Sequence, residues 1–106
     1  MNVTLPQEYI EFLKSSDQLW GETDYELGEY FELEPLDTIE KMNKDIGIVQ
    51  AAPGFIAFAC DGGGEVFVFD ESGQIFILPL IGMEPGAAVK LASSWSEFET
   101  HIAQSA

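Results

Sequence analysis

The sequence predicts an α+β domain: a single antiparallel, meander-like β-sheet flanked by an N-terminal and a C-terminal helix. Three observations carry this expectation. Residues at helical spacing occupy both ends of the chain. Short runs rich in Phe and Val lie between them. Turn residues separate those runs at hairpin spacing, so that no crossover helix fits between them. With 106 residues, 46% hydrophobic content, two Trp, three Tyr and eight Phe, the chain suffices for one packed core and is expected to form one domain over 1–106.

In TLPQEYIEFLKS, residues 4 to 15, Leu5, Tyr9, Phe12 and Leu13 recur at helical spacing, Pro6 suits a first-turn position and Glu8 lies near the positive end of the helix dipole. Ser15, Ser16 and Asp17 should end this helix, because their side chains compete for backbone hydrogen bonds. From Trp20 to Leu36, aromatic and aliphatic residues alternate with acids and are punctuated by Gly21, Gly28 and Pro35, which predicts one or two short strands with loops. Leu36 to Asp45 predicts a second helix ended by Gly47. Leu36, Ile39 and Met42 lie on one side of it, with acid-first pairs Asp37–Lys41 and Glu40–Lys44.

Residues 55 to 60 (FIAFAC), 66 to 69 (VFVF) and 75 to 81 (IFILPLI) predict three strands. Because VFVF and IFIL are apolar at every position, both faces of these strands should be covered, which places them mid-sheet. Pro79 cannot donate to a ladder and should fall at an edge, a bulge or a strand end. SWSE has the capping-box form, with Ser94 as N-cap and Glu97 reaching back to it, and Trp95, Phe98 and Ile102 mark the apolar face of a closing helix.

Nineteen acids against four lysines and no arginine give a net charge of −15. Such a surface disfavours phosphate backbones and anionic lipid, so neither nucleic acid nor a membrane is an expected partner. Solubility and attraction of a basic protein both account for it. No run approaches the about 20 apolar residues of a membrane span, and MNVTLPQEY has neither a basic nor an apolar leader region. A lone Cys60 in an apolar run suits a buried thiol in a reducing, cytoplasmic compartment.

Candidate chemistry is sparse. The three glycines of CDGGGEVFVFD run into an extended pattern with no lysine at hand, whereas a phosphate loop opens into a helix, so turn geometry is the expected role. Asp61, Glu65, Asp70 and Glu71 could gather at the ends of one strand pair, but their spacing matches no calcium loop. Cys60 or a serine with His101, the single histidine, is the one conceivable nucleophile–base pair, and no motif supports it. His101 is expected to face solvent or to cap a helix C-terminus. No catalytic, metal or cofactor residue is assigned.

The distinctive segment runs from Glu22 to Glu40. Glu22, Asp24, Glu26, Glu29, Glu32, Glu34, Asp37 and Glu40 meet no basic residue before Lys41. Trp20, Tyr25, Tyr30 and Phe31 lie among them, and Trp and Tyr are residue types that anchor interfaces. If residues 22 to 26 are extended, Glu22, Asp24 and Glu26 share one face. Two readings stand open: a solvated acidic loop whose aromatics turn inward, or a partner-binding surface of Trp20, Glu22, Asp24, Tyr25, Glu26, Glu29, Tyr30, Glu32 and Glu34.

Together, LPQEYIEFL, CDGGGEVFVFD and SSWSEFETHI resemble the SUKH superfamily, named partly for a yeast regulator of cell-wall glucan synthesis. Leu5, Pro6, Tyr9, Phe12 and Leu13 match its LP-x-x-Y-x-x-FL helix. Asp61, Gly62, Gly63 and Gly64 with Asp70 match its D/G-rich turn and acid-ended strand, and Ser94, Glu97 and Phe98 match its closing S-x-x-EF helix. The family's N-G-G after the first helix is replaced here by SSDQLWG, and partner choice is expected to lie between Leu19 and Val49. The resemblance implies the α+β fold, no catalytic residues and, for many bacterial members, an immunity role in which a cognate toxin, often a nuclease, is bound and neutralised. The expectation is therefore a non-enzymatic protein-binding domain facing a basic toxin. A regulatory module without a toxin, or a small hydrolase or metal-dependent enzyme using Cys60, His101 and Asp61, are the alternatives.

Overall fold

A computed structural model describes residues 3–103. Three strands, β3 (Phe55–Cys60), β4 (Glu65–Asp70) and β5 (Ile75–Pro79), form its centre. They are extended by β1 (Trp20–Glu22) and β2 (Tyr30–Leu33) on one side and β6 (Val89–Ala92) on the other, into a six-stranded sheet in the order β1-β2-β3-β4-β5-β6. Every pairing is antiparallel, so the chain is a meander. The region from Trp20 to Leu36 yields two strands, and β6, with only four residues and a lysine in it, went unpredicted.

The period-two geometry of a strand sends alternate side chains to opposite faces, and here both faces are apolar. Phe67, Phe69, Ile75 and Ile77 join one cluster, and Val66, Val68 and Leu78 join another on the opposite side. The register shifts between Ala57 and Ala59 of β3, so that Phe58 and Ala59, though consecutive, serve the same cluster. Helix α1 (Gln7–Ser15) and helix α4 (Trp95–Thr100) cover the first face, and α2 (Ile39–Ile46) with the single turn α3 (Ile48–Ala51) covers the second, while Ile39 at the start of α2 joins the first cluster. Flanking helices alone would thus leave one apolar face in water, and the inner helices supply the second cover.

Three side chains fasten these layers. Tyr9 is fully buried with its ring 5.0 Å from Phe58, 5.2 Å from Phe69 and 4.7 Å from Trp95. Glu8, four-fifths of the chain away from α4 in sequence, accepts from the Trp95 N–H at 3.1 Å and from the Ser96 hydroxyl at 2.7 Å. The expected capping box is thereby half made. Ser94 Oγ does accept from the Glu97 N–H at 3.1 Å, but the carboxylate at this helix start is that of Glu8, not Glu97. Asn43, 1% exposed, donates to the Ile39 and Ala57 carbonyls at 2.8 and 2.9 Å and accepts from the Ala57 N–H at 2.7 Å. The chain after β2 has made its last ladder bond, Glu34 N–H to Phe58 C=O, one residue away. Asn43 continues the ladder where the strand has run out.

Other local expectations shift. Pro6 sits at the N-cap rather than inside the first turn. Leu36 to Thr38 form a 3-10 turn, which breaks the i, i+4 alignment of Asp37 with Lys41, and Lys41 instead pairs forward with Asp45 at 2.7 Å. Leu36 is exposed, whereas Ile39 is buried. Strand β5 stops at Pro79, as its missing N–H dictates, so Leu80 and Ile81 lie beyond it and Ile81 is almost fully exposed. Helix α4 ends at Thr100, so Ile102 packs on the core from a single bridge to Thr23.

Replacing Asn43 by Ala strands the Ala57 backbone and should cost about 2–3 kcal/mol in urea unfolding. A loss below about 0.5 kcal/mol would show that the amide does not act as the clamp. Glu8→Ala should cost about 1 kcal/mol, with exposed Glu11→Ala near neutral as the control.

Candidate functional site

The two β-turns of the central meander share one design. Asp61 Oδ1 accepts from the N–H of Gly63 and of Glu65 at 2.8 and 3.0 Å, and Asp70 Oδ1 accepts from those of Ser72 and Gln74, both at 2.9 Å. In each turn a glycine follows three residues after the aspartate with φ positive, 110° at Gly64 and 85° at Gly73. The aspartates are committed to their own backbones. Glu71 is exposed and outside this network, and among the described residues no group of three or more His, Cys, Asp or Glu side chains could hold a metal ion.

Cys60 ends β3 opposite Glu32 and is half-exposed rather than buried, because it packs only against the margin of the cluster under α2 and α3. His101 caps α4, stacks on Tyr25 at 4.5 Å and holds Asp24 Oδ1 through Nδ1 at 2.7 Å. Its carbonyl accepts from the Asp24 N–H at 3.1 Å, and the Ala103 N–H donates to the Glu22 carbonyl at 2.7 Å. The chain following α4 thus stitches itself onto the far edge of β1.

The acidic segment does not behave as one surface. Strand β1 ends at Glu22, and Thr23, one of two buried polar residues among those described, folds the chain into a loop. Its hydroxyl donates to the Gly28 carbonyl at 2.7 Å and accepts from the Tyr25 N–H at 3.2 Å. Gly28 has φ +77° and lies so close to the core that a Cβ would come within 2.8 Å of Phe67. Glu22, Asp24 and Glu26 therefore do not share the face that a continuous strand would give them. Asp24 turns to His101, and Glu26 and Glu29 line the rim of a depression of about 230 Å³ with Leu27, Tyr30, Asp61 and Glu65. Sequence spacing could not have brought Asp61 and Glu65 to this rim, since strand pairing across β2 and β3 does so.

The aromatics divide likewise. Phe31 is in the core, and Tyr25 leans inward on Phe98 at 5.8 Å. Burial, then Glu97 and Asp24, push the Tyr25 hydroxyl up to about 12. Trp20 and Tyr30 point the other way. Register places Trp20 opposite Glu32 and Glu22 opposite Tyr30, on the same face as Cys60, and no residue of β1 or β2 belongs to the cluster under α2 and α3. That end of the sheet is left bare. Trp20 is 61% exposed, Glu22 and Glu32 are exposed, and Tyr30 is half-buried. The Tyr30 hydroxyl donates to Glu32 Oε1 at 2.9 Å, and this bond raises its pKa above the ordinary 10.0. Glu34 turns to Thr38, whose hydroxyl donates to it at 2.6 Å. At that border Asp45, with Glu34 behind it, raises the Lys41 ammonium pKa.

These features define an α+β meander domain with helices on both sheet faces and one acidic, aromatic stretch of sheet left open. The chain belongs to the SMI1 / KNR4 family (SUKH-1), whose family model matches residues 1–100. No curated protein matches it. Among the described residues no helix is long and apolar enough to cross a membrane.

All three tyrosines have raised folded-state values: Tyr9 by burial, Tyr25 mainly by burial, and Tyr30 mainly by its bond to Glu32. Stability contributed by these neutral phenols is complete below 10.0 and is lost as pH rises through about 12, where Tyr25 ionises. Alkaline titration should show phenolate absorbance growing together with loss of circular dichroism. A tyrosine ionising at 10.0 in the intact fold would contradict these environments.

Proposed function

We propose that this chain is a non-enzymatic, cytoplasmic protein-binding domain of the immunity type, which neutralises a basic toxin of bacterial origin by covering its active surface. The observation that carries this reading is the open β1–β2 face with its adjoining rim. There Glu22, Glu26, Glu29 and Glu32 border Trp20 and Tyr30, and no basic residue lies between Lys14 and Lys41 in the sequence. Family membership supports a protein-binding role, since immunity to toxins is an activity of SUKH proteins. The net charge of −15 supports a basic partner, because opposite charge speeds encounter and selects against acidic competitors. A toxin that grips phosphates would itself be basic, and an acidic cover would occupy the surface its substrate needs.

Within this reading Trp20 and Tyr30 give contact area and the carboxylates give orientation. Tyr25 and Asp24 act indirectly, by holding the loop to His101.

The test mixes this protein with the product of the neighbouring gene and measures affinity against ionic strength. Affinity should fall at least about tenfold from low to high salt, and reversal of Glu22, Glu26 and Glu32 to Lys should weaken binding by a similar factor. Binding that ignores both salt and reversal overturns the acidic-surface reading. A neighbouring gene that encodes no toxin, together with capture of a cellular regulator, would replace immunity by a regulatory role.

A further inference from the structure

The open face is a ring surface bordered by carboxylates, and that combination selects among cations. Trp20 and Tyr30 lie with ring centroids 6.4 Å apart and planes inclined by 34°, and the cross-strand register sets a glutamate opposite each ring. Tyr30 occupies one oxygen of Glu32, while the other oxygen and the whole Glu22 carboxylate accept no hydrogen bond from the described residues. The DGGG turn borders Tyr30 without covering it. A Cβ at Gly62 would stand 3.9 Å from Tyr30 Cε2, and glycine puts nothing there.

A planar guanidinium stacks on aromatic faces while its N–H fork engages a carboxylate side-on. A lysine ammonium is a compact, strongly hydrated point charge that does the second less well and the first without stacking. We infer that the occupant of this face is an arginine side chain on a basic segment of the partner protein, lying on the Trp20 and Tyr30 rings and held by Glu22 and Glu32. This rests on the reading that the acidic face binds a basic protein, and adds which cation it prefers and where.

The probes are an oligo-arginine peptide and an oligo-lysine peptide of equal length, titrated into the full chain at low ionic strength, with the Trp20 indole N–H followed by NMR. Oligo-arginine should bind about two- to fivefold tighter than oligo-lysine and shift the Trp20 indole signal. Trp20→Ala should abolish that preference and Trp20→Phe retain part of it. Trp20 is exposed, so both variants should keep the wild-type melting temperature. Equal affinities for the two peptides, unchanged in Trp20→Ala, overturn the arginine inference and leave the acidic-surface reading standing. If neither peptide binds, both the inference and the proposed attraction of a basic partner fail. A preference that persists in Trp20→Ala with the indole signal unmoved places the arginine elsewhere and also overturns the inference.

Discussion

Strands β3, β4 and β5 are apolar on both faces, and this demand for two covers organises the rest of the molecule. Burying a Val, Leu, Ile or Phe side chain is favourable by about 1.5–3 kcal/mol, so a face carrying Val66, Val68 and Leu78 cannot be left to water. Helices α1 and α4 serve one side and α2 with α3 the other. The second cover is held by a polar device, Asn43, which grips α2 through the Ile39 carbonyl and β3 through both backbone groups of Ala57. The inner helices pack chiefly on β3, and the cluster beneath them draws on β3, β4 and β5 but on no residue of β1 or β2, so the β1–β2 end of that face stays open.

Charge is arranged around this core rather than within it. Among the described residues Lys41–Asp45 is an ion pair and His101–Asp24 a contact that is ionic only with a protonated imidazole; both have substantially exposed partners, and exposed pairs of this kind contribute little stability. The acids crowd the β1–β2 end, where solvent screens them in the free protein and a cationic partner would neutralise them. The loop that carries Asp24 to Glu29 is nevertheless well fixed. Thr23 closes it from within, Gly28 presses it onto Phe67, and the backbone after α4 pairs with its near edge. A charged surface on a fixed loop loses less conformational entropy on binding than a mobile one.

Much of the fold was legible because its signals are local. Helical spacing in LPQEYIEFL, the turn chemistry of Asp61 and Asp70 and the unbroken apolar runs of β4 and β5 each act within a few residues, and the structure bears them out. Strand β6 was missed because VKLA carries too short and mixed a pattern. The capping role of Glu8 was missed because its partners lie 87 and 88 residues away. The acidic segment was visible as a composition, but its division between an outward pair, Trp20 and Tyr30, and an inward pair, Tyr25 and Phe31, was not. Register settles that division, and register depends on where Thr23 and Gly28 turn the chain.

The sequence by itself determined the α+β class, the central strands with two covered faces and the excess of negative charge, because periodicity and composition are properties of the chain. Tertiary structure alone decided which aromatics face out, that Asp61 and Glu65 join Glu26 and Glu29 on one rim, and that the β1–β2 face lacks a helix. Those outcomes depend on strand pairing and on how far two short helices extend over a sheet. Both are contacts between residues distant in sequence, and no local spacing encodes them.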